Sequence, residues 1–351
     1  MEVYAAIQKR RSNMNITTLG IDIAKNVFQL HGVDQDSKTV LTKRLSRAKL
    51  LEFVTNLNPC LIGMESCGGS NYWARKFIAA GHIVKLMSPQ FVKPYVKSNK
   101  NDKNDAEAIC EAVARPNMRF VCVKQIEQQD IQSIHRIRTR LVAERTALAN
   151  QIRGLLAEYG IVIPKNIGNI RSNLPEILED GANELSGIGR ETFKDLYDEL
   201  VDKDKKILAY DKKIKLICNQ NAKCKKLTEI SGIGPITATA ILAAVGDARV
   251  FKNGREMAAW LGLVPKQCSS GGKERLLGIS KRGDKYLRSL LIHGARAVIF
   301  KHKNKDDTKS KWAKQLVERR GINKAVVAVA NKNARIIWAK LTGAQPWQAA
   351  A

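Results

Sequence analysis

Asp102 and Asp105 stand three residues apart in Lys100-Asn101-Asp102-Lys103-Asn104-Asp105-Ala106-Glu107-Ala108-Ile109. On the first turn of a helix that spacing puts both carboxylates on one side. Such a pair can hold a divalent cation, or it can do no more than complement the helix dipole. Two further acids bear on the choice. Asp22 interrupts the apolar run Thr18-Leu19-Gly20-Ile21-Asp22-Ile23, and an acid inside a strand must be paired or coordinated. Glu65 closes Cys60-Leu61-Ile62-Gly63-Met64-Glu65 in the same manner. Carboxylates gathered around divalent ions can activate water or a hydroxyl and stabilise the leaving oxygen of a phosphodiester. Asp22, Glu65, Asp102 and Asp105 are therefore the candidate catalytic and metal-binding set.

A second chemistry is written near the other end. In Cys268-Ser269-Ser270-Gly271-Gly272-Lys273-Glu274-Arg275 the serines read as residues of a Gly-flanked loop. Lys273, Arg275, Lys281, Arg282 and Arg288 surround them in sequence, cations able to hold a phosphodiester and the charge of a displaced oxygen. A serine so placed could attack phosphorus and hold a DNA end covalently, or serve only as a turn residue. Upstream, Ser231-Gly232-Ile233-Gly234-Pro235 has the form of a helix-hairpin-helix turn. Amides at the start of the helix after Pro235 could bind a backbone phosphate near Gly232 and Gly234, although an ordinary turn would look the same. Ser186-Gly187-Ile188-Gly189 lacks an apolar helix behind it and reads as a loop.

Charge narrows the partner. Sixty Lys and Arg against 33 Asp and Glu give 351 residues a formal net charge of +27, which implies a polyanion contacted over a large area. Nucleic acid leads; a membrane surface is disfavoured because no run of about 18 apolar residues and no signal-peptide pattern is present. Seven cysteines without a CxxC pair argue against zinc and a disulfide framework, and for a reducing bacterial cytoplasm.

The elements that must position these residues follow from periodicity. Strands are expected at Thr18–Ile23, Val27–Val33, Val40–Leu45, Cys60–Glu65 and His82–Met87, with helices at Arg47–Leu57 and Asn71–Ala80. A hairpin-led sheet with acids on two strands and on a following helix is the ribonuclease H-like plan. Gly20-Ile21-Asp22-Ile23-Ala24-Lys25-Asn26 also resembles a first phosphate loop of actin-like and sugar-kinase ATPases, but their second phosphate loop and adenosine loop are missing. Ile134, Leu141, Leu148 and Leu155 fall seven apart, as do Phe193, Leu200, Ile207 and Ile214. Two long helices are expected, as an antiparallel hairpin or a dimerising coiled coil, with Pro164 and Pro175 punctuating the break between them. Helices at Leu290–Phe300, Trp312–Arg320 and Asn323–Leu341 close the chain. The fold class is thus α/β plus all-α, with a basic leader at 1–14, a catalytic domain at 15–128, a helical linker at 129–222 and a mainly helical domain at 223–351.

With Gly20-Ile21-Asp22-Ile23-Ala24-Lys25, Glu65, Asp102-Lys103-Asn104-Asp105-Ala106, Ser270-Gly271 and Ile279-Ser280-Lys281-Arg282-Gly283-Asp284 in view, the chain resembles the DEDD transposases of bacterial insertion sequences, the recombinases guided by a bridge or seeker RNA. That resemblance implies a RuvC-like domain holding Mg2+ (or Mn2+) through Asp22, Glu65, Asp102 and Asp105, a coiled-coil linker, and a transposase domain with a nucleophilic serine. By position before Gly271 the serine maps to Ser270, with Ser269 left open. It further implies a homodimer or homotetramer, composite active sites between subunits, and a non-coding guide RNA that pairs with donor and target double-stranded DNA. A RuvC-like nuclease or junction resolvase acting through metal-activated water is the alternative, and a binding scaffold with vestigial acids a third.

Overall fold

The computed structural model describes residues 15–97, 101–301 and 307–344, the side chain of Lys309 excepted. The leader read at 1–14 lies outside the described residues, as do 98–100, 302–306 and 345–351. Two compact units divide the chain, residues 1–126 and 127–351.

Unit 1 is built on a six-stranded sheet. Its strands are β1 (Thr18–Ile23), β2 (Val27–Val33), β3 (Thr39–Ser46), β4 (Leu61–Glu65), β5 (Ile83–Met87) and β6 (Phe120–Val121), in the order β3-β2-β1-β4-β5-β6. Short turns let β1, β2 and β3 pair antiparallel, whereas β4 and β5 add in parallel to β1. Parallel neighbours need crossovers, supplied by α1 (Arg47–Thr55) and α2 (Ser70–Ala79). Leu19, Ile21, Phe28, Leu30, Ile62 and Met64 are fully buried in one core with Leu50 and Val54 of α1 and Trp73 and Phe77 of α2. The opposite face of the sheet receives α3 (Asp102–Val113).

Unit 2 is mainly helical: α4 (Ile126–Ala157), α5 (Ile167–Glu179), α6 (Gly187–Gln220), α7 (Ala222–Thr228), α8 (Pro235–Val245), α9 (Gly254–Trp260), α10 (Lys285–Lys301), α11 (Thr308–Arg320) and α12 (Ile322–Thr342), with a hairpin of β7 (Pro265–Gln267) and β8 (Leu276–Ile279) between α9 and α10. The boundary read at residue 222 falls inside this unit, at the end of α6. Helices α4 and α6 run antiparallel, because Arg138 bonds Asp211 at 2.5 Å and Arg145 bonds Asp204 at 2.8 Å. Among the described residues no helix is long and apolar enough to cross a membrane.

Three expectations change here. The heptads of α6 are all buried at Phe193, Leu200, Ile207 and Ile214, but α4 drifts: Leu141 and Leu148 are buried, Leu155 is 41% exposed, and Ile152 and Leu156 take over. A helix of 3.6 residues per turn drifts by about 20° per heptad from a seven-residue repeat unless it supercoils, and in α4 that drift passes the buried stripe to neighbouring positions. Pro175 lies within α5 and does not break the chain. It leaves the Arg171 carbonyl, four residues back, without its helical donor, and the Tyr197 hydroxyl donates to that oxygen at 3.4 Å. Ser186-Gly187-Ile188-Gly189 is no loop but the start of α6, where the Ser186 hydroxyl caps the Gly189 amide at 3.2 Å.

His135 ties the long α4 to the later helices. Its Nδ1 and Nε2 lie 2.9 Å from the Tyr286 hydroxyl of α10 and the Thr239 hydroxyl of α8. Burial pulls its pKa from 6.5 down to about 4, and the Arg138 cation adds to this. An unfolded chain binds the proton first as pH falls, so the stability held above pH 6.5 drains away towards pH 4, by up to about 3 kcal/mol. Urea midpoints of the wild type should fall across that window, and His135→Asn should flatten this part of the profile; equal slopes would contradict the assignment.

Candidate metal centre and serine hairpin

Two glycines set the metal centre. Gly20 and Gly63 are paired on neighbouring strands β1 and β4. A Cβ on Gly20 would sit 2.5 Å from the Cys110 amide nitrogen, and one on Gly63 would sit 2.7 Å from Val113 Cβ. Side chains there would hold α3 off the sheet; their absence lets the helix lie on the backbone. The Cys110 thiol donates to the Thr18 carbonyl at 3.6 Å, so the helix runs antiparallel to β1 and its first turn reaches the strand's end. Asn101 fixes that first turn by accepting from the Lys103 amide at 3.1 Å. One carboxylate oxygen from each of Asp22, Asp102 and Asp105 then lies within 4.8 Å of the others.

Gly20→Ala should lower stability by about 1–3 kcal/mol by overpacking and weaken binding of a divalent cation together with it. Denaturant midpoints and a metal titration check this; an unchanged midpoint would overturn the packing argument.

Glu65 stands outside that group of three. It follows Met64, which pairs with Ile21, so it sits level with Asp22 on the adjoining strand. Cys67, which sequence reasoning passed over, is close to both: burial, and then the carboxylates of Glu65 and Asp22, push its thiol pKa up. Asp22 and Asp105 are half-buried and Asp102 is exposed. The three clustered groups offer only oxygen, a donor set suited to a hard divalent cation.

The serine segment, read as a loop, is the tip of the β7–β8 hairpin. Gly271 and Gly272 both have positive φ, 55° and 76°, as a two-residue type I′ turn requires, and Ser270 and Lys273 bridge across it. The Ser269 hydroxyl accepts from the Arg275 amide at 3.3 Å and the Gln267 side chain at 3.1 Å. Among the described residues the Ser270 hydroxyl has no such partner and is exposed, as are Lys273, Arg275, Lys281 and Arg282. Arg288, read with those cations, is placed differently. It is buried, and its Nη1 donates to the carbonyls of Leu261 and Arg282 at 3.2 and 3.3 Å, so it ties down the foot of the hairpin. Gly232 likewise has a packing reason, since a Cβ there would meet the Gly294 carbonyl of α10 at 2.7 Å; Gly234 is exposed with nothing near.

Residues 19–161, which include the clustered carboxylates, match the DEDD transposase domain of the IS110 type. Residues 224–312 match a second model, the transposase IS116/IS110/IS902 family. The chain is 49% identical to the transposase for insertion sequence element IS1111A of Coxiella burnetii, over 98% of this chain and 94% of that one. It is 40% identical to the transposase for insertion sequence element IS1328 of Yersinia enterocolitica, over 93% and 97%. A pilin gene-inverting protein of Moraxella bovis is 24% identical over 87% and 92%. The chain belongs to the IS110/IS116 family of insertion-sequence transposases, enzymes that act on DNA. Its DEDD domain points to use of a divalent metal.

Proposed function

We propose that the chain is an RNA-guided recombinase that cuts and joins DNA strands through its carboxylate centre and a covalent Ser270–DNA intermediate. The convergence of Asp22, Asp102 and Asp105 within 4.8 Å, from distant segments, carries the reading. Unit 1 is taken as a RuvC-like, ribonuclease H-like domain, with Glu65 as fourth ligand brought in by rotation of its long side chain. Mg2+ or Mn2+ held there would offset phosphate charge and ease deprotonation of a hydroxyl.

Ser270 Oγ forms a bond to phosphorus as the bond from phosphorus to a sugar oxygen breaks. That oxygen leaves with the electron pair and takes up a proton. Attack by a sugar hydroxyl of a second strand reverses the step and frees Ser270, so strands are exchanged without hydrolysis. Lys273, Arg275, Lys281 and Arg282 hold the phosphate. The turn between α7 and α8 serves as a helix-hairpin-helix, gripping backbone at Gly234 without reading bases. The antiparallel pair α4–α6 mediates assembly into a homodimer or homotetramer.

A net charge of +27 suits a protein that grips backbone while base pairing reads sequence. The relatives' printed roles, transposition and gene inversion, both fit strand exchange. Sequencing of RNA that co-purifies with the protein should return one defined non-coding species; random fragments alone would remove RNA guidance from the account.

A further inference from the structure

The β7–β8 hairpin has an unexplained property besides its serine. Leu276 and Leu277 are 63% and 42% exposed, although burying one leucine is worth about 1.5–3 kcal/mol. They are consecutive on a strand and so face opposite sides; Leu276 lies across from Gln267 on β7. A hairpin lying on a core would hide one of them, and here neither is hidden. The ribbon nevertheless has a firm foot, since the Ser280 amide donates to Val264 at 2.8 Å and the Lys281 amide to Gly262 at 3.2 Å. Between Pro265 and Gly283 it carries five cations, Lys266, Lys273, Arg275, Lys281 and Arg282, against one acid, Glu274.

Charge complementarity selects the occupant. Duplex DNA is a polyanion outside and a stack of apolar faces inside, and proteins that kink it press apolar wedges between base steps from cationic arms. We infer that the hairpin enters a groove of duplex DNA and that the leucine on the face of the ribbon turned to the bases, Leu276 or Leu277, parts the base stack close to the phosphodiester Ser270 attacks. The location of the opened step rests on the serine reading; the opening itself does not. Leu276 lies three residues from the Lys273 end of the turn, about 10 Å of strand or about three base-pair rises. An opened step also gives the phosphodiester beside it more freedom to approach the hairpin tip.

The test uses the full-length chain with Ser270→Ala, so that no strand is cut, and short DNA duplexes carrying 2-aminopurine at successive positions. Binding, followed by anisotropy, should raise the fluorescence several-fold at one or more positions. The double variant Leu276→Ala/Leu277→Ala should abolish the rise while still binding, and Leu276→Met/Leu277→Met should keep it. Three results would overturn the inference: no rise in the parent despite binding, a rise unchanged in the alanine variant, or a smaller assembly in the alanine variant without DNA, which would make the leucines a protein interface. Because Ser270 is absent from the assay, failure of the serine reading leaves this result standing, and the converse holds as well.

Discussion

Asp102→Asn and Asp105→Asn should each lower strand transfer by about a thousandfold while leaving the fold and DNA binding in place. The substitution keeps the shape of the side chain and removes one negative charge from a group of three that lie within 4.8 Å of one another. Electrostatic help from a bound divalent ion is worth several kcal/mol, and each 1.36 kcal/mol is a factor of ten in rate. Stability should change by less than about 1 kcal/mol, because relief of like-charge repulsion opposes the loss of a favourable carboxylate on the first turn of α3. Asp22→Asn should behave alike in rate. Glu65→Gln separates two accounts: a loss as deep as the aspartates' makes it a ligand, and a loss of tenfold or less makes it a neighbour. Rates at saturating Mn2+, beside circular dichroism and anisotropy, provide the check; full activity in Asp105→Asn would remove the metal centre from the mechanism.

Ser270→Ala should abolish covalent capture of DNA, a loss of about 10⁴-fold or more, since the atom proposed to form the bond is gone. Ser269→Ala should retain capture within about tenfold. The asymmetry follows from the hairpin. Ser269 accepts from Arg275 and Gln267 and is spent on holding the strands together. Ser270 precedes the two-glycine turn with its hydroxyl exposed. Should the two variants exchange behaviour, the chemistry would move one residue and the hairpin bonds would have to open for it.

Much of this was legible from residue types. Asp22 announced itself as an acid in an apolar strand, and Asp102 with Asp105 as a pair on one helical turn; the structure brings these three together. Glu65 has the same kind of sequence signal, yet a longer side chain can end a strand without pointing at its neighbour, and spacing cannot tell the two apart. Gly20 and Gly63 decide how close α3 comes, and a glycine in the middle of a buried strand was the available sign. The β7–β8 hairpin was hidden because both strands are exposed, so they lack the apolar alternation that marks a half-buried strand. Arg288 looked like its cationic neighbours in sequence, and only packing distinguishes a buried clamp from a surface charge.

The most direct test of the account is to stop a strand-exchange reaction with denaturant, digest the protein and DNA, and locate the nucleotide-bearing peptide by mass spectrometry. A phosphodiester on Ser270, formed only with a divalent ion present and absent from Asp105→Asn, is the predicted result. Strand cleavage that proceeds with no nucleotide attached to the chain, or with attachment at a residue outside the β7–β8 hairpin, would contradict it.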